Sequence, residues 1–414
     1  LLALLASSVA TAQSAVTTLG VDGRTNANPS VAVNGTFVAV AWSAATVSSM
    51  DIYLATSRDG GKTFAAPVRV NGIDGDARVN GEMPPRVVLV PKPGATPQIV
   101  VVWTAKHGAN YAILSSRSTD GGRTFSSAVD VPGSAADGNR GWESVTADDA
   151  GHVYALWLDH RALAADMAHA HDMAAKNPTS GPAPKPDPTE RAGLSHLYFS
   201  SLDGKRATVI TNSVCYCCKT SLVSAGNNIY AVWRHVYPGS MRDMAFSMST
   251  DRGRTFSSPV RVSEDKWQID GCPDNGPSLA VDSKKRVHIA WPTAADSKDP
   301  KALAVFYATS ADGKAFSARA KVPSQGPAQH PQIVVGRDGV PIVAWDETVD
   351  GTRRLGFARV SVGADGKATF TTIPSPDAGP GQWYPSLAAT GTGAIAAWVR
   401  QRESGSAIAV SSLR

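Results

Sequence analysis

One pattern recurs seven times along the chain: a short extended segment, a turn, and an apolar strand that ends in Trp. The strands end at Trp42, Trp103, Trp157, Trp233, Trp291, Trp345 and Trp398. Self-similarity at a fixed period of this size is the mark of a repeat architecture, in which each unit buries its apolar face only by stacking on the next. The spacing is 53 to 61 residues, except for 76 between Trp157 and Trp233, which requires an insertion there. After each Trp come a loop and a third strand, and a fourth follows, as in PVRV at Pro67–Val70 and again at Pro259–Val262. Four antiparallel strands per unit make a propeller blade. The chain is therefore expected to be an all-β propeller of seven four-stranded blades. The last unit reaches Arg414 after three strands, and Ala15–Leu19 can supply its fourth, tying the ends together and hiding two sheet edges.

Composition agrees with this reading. With 37 Gly and 27 Pro, turns punctuate the chain throughout and long helical periodicity is rare. The formal charge of +5 is scattered, with no basic run and no aromatic-basic interleaving, so nucleic acid is not an expected partner. Leu1–Ala12 (LLALLASSVATA) resembles the end of a secretory signal with a small-residue cleavage site. The run is too short to span a bilayer. The expectation is a monomer with no membrane span, beginning near Gln13 and working in the periplasm or outside the cell. Residues 13–414 are expected to form a single propeller domain, with a His/Met- and Pro-rich loop inserted at 160–195.

Tight turns follow the third strand. Ser57–Phe64 (SRDGGKTF), Ser118–Phe125 (STDGGRTF) and Ser249–Phe256 (STDRGRTF) share the spacing S-x-D-x-G-x-T-F, and Ser310–Phe316 is one residue short. The Asp can accept backbone N–H groups across the turn, Gly supplies positive φ, and the aromatic packs between sheets. This is the Asp box, and the chain resembles the sialidase-like Asp-box (BNR-repeat) propellers. The run Trp233–Pro292, with the paired signatures Cys215-Tyr216-Cys217-Cys218 and Gly271-Cys272-Pro273, resembles an exported bacterial subgroup of these proteins. Sialidases have six blades, so the resemblance implies six where the Trp count gives seven.

Alternating strand direction puts the loops between second and third strands on the same propeller face as the blade-to-blade connections. The Asp boxes lie on the other face and read as structural. The first face gathers Trp142, Glu143, the four Cys, Asp274, His330, Trp383 and Tyr384 from the blade starts. The loops add His160, Arg161, Arg234, His235, Arg242, Asp243, Asp346, Glu347, Arg353 and Arg400. Sialidases clamp a substrate carboxylate with three arginines and use a Tyr–Glu pair as nucleophile, because guanidinium forks match a carboxylate and a neutral Tyr is not repelled by an anionic sugar. The resemblance therefore implies catalytic candidates Tyr384 with Glu347 or Glu143. It implies Arg161, Arg234, Arg242 and Arg400 for the clamp, with Asp243, Trp383 and His330 beside them. The F/Y-R-I-P motif that carries the first arginine of sialidases is absent, and no Asp stands in a recognisable acid/base context in the first loops.

The main expectation is a small-molecule or glycan ligand, a sugar or small acid, bound at the axial mouth, with glycoside hydrolysis as its catalytic form. Two alternatives stand beside it. Met167, His169, His171 and Met173 share an Ala-rich stretch of the insertion, and with thiolates from Cys215, Cys217, Cys218 or Cys272 they suit copper. The four Cys can instead form one or two disulfides, in any of three pairings. The second alternative is a protein-interaction scaffold without chemistry.

Overall fold

A computed structural model describes residues 15–166 and 187–413, apart from positions 270, 296, 298, 300, 301, 378 and 392. The described residues form seven four-stranded antiparallel sheets. In the first blade Thr25–Asn34, Phe37–Ala45, Met50–Ser57 and Val68–Arg69 pair in order. The innermost strands of successive blades touch one another around the whole circle, and that of the seventh, Gln382–Ala389, touches that of the first. The ring is therefore closed with seven blades, and the six-bladed alternative is set aside.

Closure uses the start of the chain. Thr17–Leu19 pairs with Ser406–Leu413 as the outer strand of the seventh blade, with Thr18 opposite Ala409. The strand expected within Ala15–Leu19 is formed, and segments from near the two ends of the sequence share one sheet, with Thr17–Leu19 as its outer strand.

The Trp residues explain why the blades stack. All seven are at most 2% exposed, on second strands that are buried on both faces, as in Phe37–Ala45, and each strand runs on past its Trp instead of ending there. A strand covered on both faces loses the polar alternation of a half-exposed one, hence the apolar runs in the sequence. Buried apolar clusters join every neighbouring pair of blades, including seventh to first through Val40, Trp42 and Val399.

The Asp boxes are built as their chemistry requires. Asp120 Oδ1 accepts the N–H groups of Arg123 and Thr124 at 3.0 and 3.1 Å, and its Oδ2 accepts Thr124 Oγ1 at 2.6 Å. These bonds hold the Asp59, Asp120 and Asp251 carboxyls well below the usual range. The boxes also seat one blade on the last. Gly253, at φ 81°, faces Phe199 of the preceding blade so closely that a Cβ would overlap the edge of the ring at Cε1.

A short helix, Pro188–Gly193, is capped by Asp187, whose Oδ1 accepts the Thr189 N–H at 2.7 Å. No described helix is long and apolar enough to cross a membrane.

Candidate functional site

A second repeat, inside the blades, organises the axis. Near the start of the innermost strand a Ser side chain accepts a backbone N–H from the next blade. Ser30 takes that of Val87 at 3.3 Å, Ser144 that of Leu222 at 3.0 Å, and Ser221 that of Leu279 at 3.1 Å. Ser278 takes that of Ile333 at 3.0 Å, and Ser386 that of Val31 at 3.2 Å, which carries the device across the ring closure. In the second and sixth blades the equivalent positions hold Arg86 and Gln332. Both line a cavity at the axis.

Two residues before this position, the seven blades place Asn28, Pro84, Trp142, Lys219, Gly276, His330 and Tyr384 around the axis. The pairing register slips there in the first, third, sixth and seventh blades. In each of those the residue at the slip, Asn28, Trp142, His330 or Tyr384, has φ between 51° and 58°. A bulge bends a strand and re-aims a side chain, and positive φ in a bulky residue costs energy that the surrounding packing must hold. Here the bulges turn inner-strand side chains toward the axis. The cavity is lined by Asn28, Lys219, His330 and Tyr384 from this ring, with Arg86 and Gln332 behind them. Its volume is about 10 Å³, the room of one water. Gly81 makes space for Tyr384, because any Cβ at Gly81 would overlap the phenol ring.

The charges around the cavity are largely buried. Glu82, 1% exposed, accepts the N–H groups of Gly276 at 2.5 Å and Lys219 at 3.3 Å. Its other oxygen lies 3.5 Å from Lys219 Nζ, which also donates to the Pro331 carbonyl at 3.2 Å. Burial pushes the Lys219 ammonium down from its ordinary value, against the pull of Glu82. Arg86 donates from Nε to the Glu143 carbonyl at 2.7 Å, while its Nη2 is buried without a partner among the described residues.

On the opposite wall, Asp346 lies between the sixth and seventh blades. His330 Nδ1 is 2.8 Å from its Oδ2, Arg353 donates to its Oδ1 at 2.6 Å, and the Tyr384 N–H donates to Oδ2 at 2.9 Å. Burial alone would raise the Asp346 carboxyl, but His330 and Arg353 hold it below its ordinary value. The His330 and Tyr384 rings lie 4.2 Å apart, and the Arg353 guanidinium lies 5.5 Å from the Tyr384 ring centre. Burial, reinforced by the negative charge of Glu82, pushes the Tyr384 phenol up to about 12. It is a neutral proton donor at neutral pH.

The structure separates several residues that the sequence grouped. Glu347 turns away from the axis: its Oε2 accepts the Gln325 N–H at 2.6 Å, and it lines a different depression with Trp345 and Arg354. Glu143 is fully buried behind the cavity wall, with Oε2 accepting Thr104 Oγ1 at 2.9 Å. Burial raises its carboxyl above the ordinary value. The acids whose charge reaches Tyr384 are instead Glu82, foremost, with Asp346 and Asp274. The four arginines do not converge. Arg161 forks onto Asp159 at 2.7 and 2.6 Å, and Arg400 pairs with Asp377 at 2.7 Å. Arg234 is spent on the carbonyls of Arg242, Asn275 and Pro292. Arg242 donates to Cys215 Sγ at 3.4 Å. Asp243 pairs with Arg261, and Trp383 lies under Arg353. Met167, His169, His171 and Met173 lie outside the described residues.

Three of the cavity's charged groups, Glu82, Arg86 and Lys219, did not come from motif reading. A signal for two of them exists in the repeat: Arg86 replaces the Ser of five other blades, and Lys219 holds the position of His330 and Tyr384.

Cys217 and Cys272 form a disulfide across the fourth and fifth blades, with Cα atoms 6.1 Å apart, leaving Cys215 and Cys218 as buried free thiols. Their sulfurs are 3.7 Å apart.

No protein-family profile matches the chain. No curated protein matches it either. Solved structures do. An α-L-arabinanase of Penicillium chrysogenum, complexed with arabinobiose, is 13% identical with a TM-score of 0.52 over 96% of this chain and 97% of its own. The polysaccharide lyase Uly1 is 11% identical with a TM-score of 0.54, over 94% of this chain and 90% of its own. A Trypanosoma rangeli sialidase is 10% identical, with a TM-score of 0.43 over 94% of this chain and 55% of its own. At these identities the likeness is one of fold: the chain is a propeller with structural similarity to sugar-active propellers.

Proposed function

We propose that the axial mouth binds a small acidic ligand, a sugar acid or another carboxylate-bearing molecule, with the anion held by Arg86 and Lys219 beneath Tyr384. The observation that carries this reading is the orphaned Arg86 Nη2 beside a cavity also lined by Lys219. A buried guanidinium with an unused donor costs free energy until an acceptor arrives, and a carboxylate is the acceptor its fork fits. Charge balance supports an anion. The Glu143 carboxyl, raised by burial, is protonated more readily than an ordinary Glu and offsets Arg86 less. Burial also lowers Arg86 from its ordinary value, but a guanidinium starts so far above neutrality that it stays charged. The cavity has room for one oxygen of the anionic group, so the rest of the ligand lies against Tyr384, Trp383 and Arg353 at the rim.

Hydrolysis is the catalytic form of the same proposal. Tyr384 would attack the anomeric carbon as nucleophile with Glu82 taking its proton, since a phenol near 12 needs a base to act at neutral pH. The glycosidic C–O bond breaks in the same step, and the aglycone leaves as an anion that water protonates. The likeness of the fold to a sugar-bound arabinanase supports a glycan-sized ligand. The Cys217–Cys272 bridge suits an oxidising compartment, consistent with a periplasmic or secreted protein.

Thermal-shift screening of the intact protein with N-acetylneuraminate, glucuronate and galacturonate against their neutral parent sugars tests the binding. Stabilisation by acids and not by neutral sugars is expected. Equal response to both, or to neither at millimolar concentration, removes the reading. Release of a fluorescent aglycone from sialosides, lost in Tyr384→Phe, tests the hydrolytic form separately.

A further inference from the structure

The cysteine cluster lies apart from the axial proposal. Cys215, Cys217 and Cys218 are 1%, 6% and 2% exposed, packed against Ala192, Val236 and Trp142. Their three sulfurs lie within 3.7–4.0 Å of one another. Cys217 is bridged to Cys272, and Cys272 is exposed to solvent. A disulfide with one exposed sulfur therefore stands in front of a buried dithiol, close enough for sulfur to reach sulfur.

We propose that these four cysteines form an internal thiol–disulfide relay, which moves the disulfide between the solvent-facing pair Cys217–Cys272 and the buried pair Cys215–Cys218. In the first step the Cys215 thiolate attacks Cys217 Sγ, 3.9 Å away; the Cys215–Cys217 bond forms and Cys272 leaves as a thiolate. In the second the Cys218 thiolate attacks Cys215 Sγ, 3.7 Å away; the Cys215–Cys218 bond forms and Cys217 leaves as a thiolate. The protons lost by Cys215 and Cys218 pass to Cys272 and Cys217. One disulfide and two thiols are present before and after, so no oxidant or reductant is consumed.

The surroundings suit this chemistry. Exchange proceeds through a thiolate, and positive neighbours favour one. A hydrogen bond from Cys218 holds the Cys215 thiol below its ordinary range against the opposing effect of burial, and the guanidinium charges of Arg242 and Arg234 add to the lowering. Arg242 Nη1 donates to Cys215 Sγ at 3.4 Å, and the Asn275 N–H donates to Cys218 Sγ at 3.5 Å. Burial pushes Cys218 up, which makes Cys215 the first nucleophile. The released Cys272 is the sulfur that an external thiol or disulfide can meet. A static staple has no need of two further thiols beside its inner sulfur.

Disulfide mapping tests the relay. The whole protein is poised at two free thiols per chain by thiol titration, held at pH 8 or pH 5, quenched in acid, alkylated and mapped by mass. At pH 8 both linkages are expected, Cys217–Cys272 and Cys215–Cys218, and in the second form one alkyl group sits on Cys272 and the other on Cys217, where the first form carries them on Cys215 and Cys218. Exchange slows at pH 5 as the thiolate is lost. Cys218→Ser should accumulate Cys215–Cys217 with Cys272 alkylated, while Cys215→Ser keeps Cys217–Cys272 alone. The wild-type result stands without either variant. Cys217–Cys272 as the single linkage at both pH values, with Cys215 and Cys218 always free, overturns the relay, whether or not those two thiols then take up Cu(I).

Discussion

Asp346 Oδ2 accepts the backbone N–H of Tyr384 at 2.9 Å, across the boundary between the sixth and seventh blades. The same carboxylate meets His330 and Arg353. One fully buried acid therefore fixes a left-handed bulge, a ring pair and a rim cation together.

Asp346→Asn tests this. It keeps the shape and removes the charge that His330 and Arg353 face. Breaking one side of a buried charge cluster costs about 3–5 kcal/mol, and the partial exposure of Arg353 places the expected loss near the lower end. Denaturant titration should show the midpoint fall with an unchanged slope. A change within error would mean that the bulge is held by packing alone.

Three histidines set the acid limit, His160 and His288 buried and His235 half-buried. Burial lowers His160, His235 and His288 to about 4. In the unfolded chain they take protons near 6.5, so the unfolded state binds more protons between these values and stability falls as pH falls through that window. Each histidine removes up to about 3 kcal/mol by pH 4. Stability measured by urea between pH 8 and pH 4 should decline steeply below about 7. His288→Gln, which does not titrate, should shallow the decline. A profile flat down to pH 4 contradicts the assignment of neutral buried imidazoles.

The Asp-box glycines carry packing as well as turn geometry. Gly253→Ala adds a methyl that overlaps the edge of the Phe199 ring, at a position with φ 81°. Overpacking of this kind costs about 1–3 kcal/mol, with a further penalty for positive φ. Gly226→Ala is the control, because it shares a positive φ of 62° and a Cβ there meets nothing within 4 Å. The difference in unfolding free energy between the two variants isolates the contact with Phe199. Equal losses would show that backbone conformation alone accounts for the effect.

The repeat made the fold legible. Trp at a near-constant period, three full Asp boxes and a spare strand at Ala15–Leu19 all state a propeller, and the Trp count gives its seven blades where the resemblance to sialidases implied six. The site was legible in part. Tyr384, His330 and Asp346 fall on the expected face because blade topology fixes it. Glu347 and Asp346 are neighbours on one strand, and side chains alternate across a strand. Asp346 pairs in register with Gln329 and Glu347 with Ala328. A bulge at His330 then decides which of the two acids meets Tyr384, and motif spacing does not reveal bulges. The arginines were grouped by loop, but each is committed to a nearby carboxylate, carbonyl or sulfur, and only coordinates show that. Arg86 was visible in another way, as the position where five blades keep Ser.

That departure gives the most direct test of the central claim. Arg86→Ser restores the side chain used in Ser30, Ser144, Ser221, Ser278 and Ser386, so the blade contact has a precedent five times over in the same molecule. Calorimetric titration of wild type and Arg86→Ser with the tightest-binding sugar acid is the measurement. The account predicts one site per chain in the wild type and at least about tenfold weaker binding in the variant, which corresponds to about 1.4 kcal/mol, with the unfolding transition retained. Equal affinity in the two proteins would contradict it.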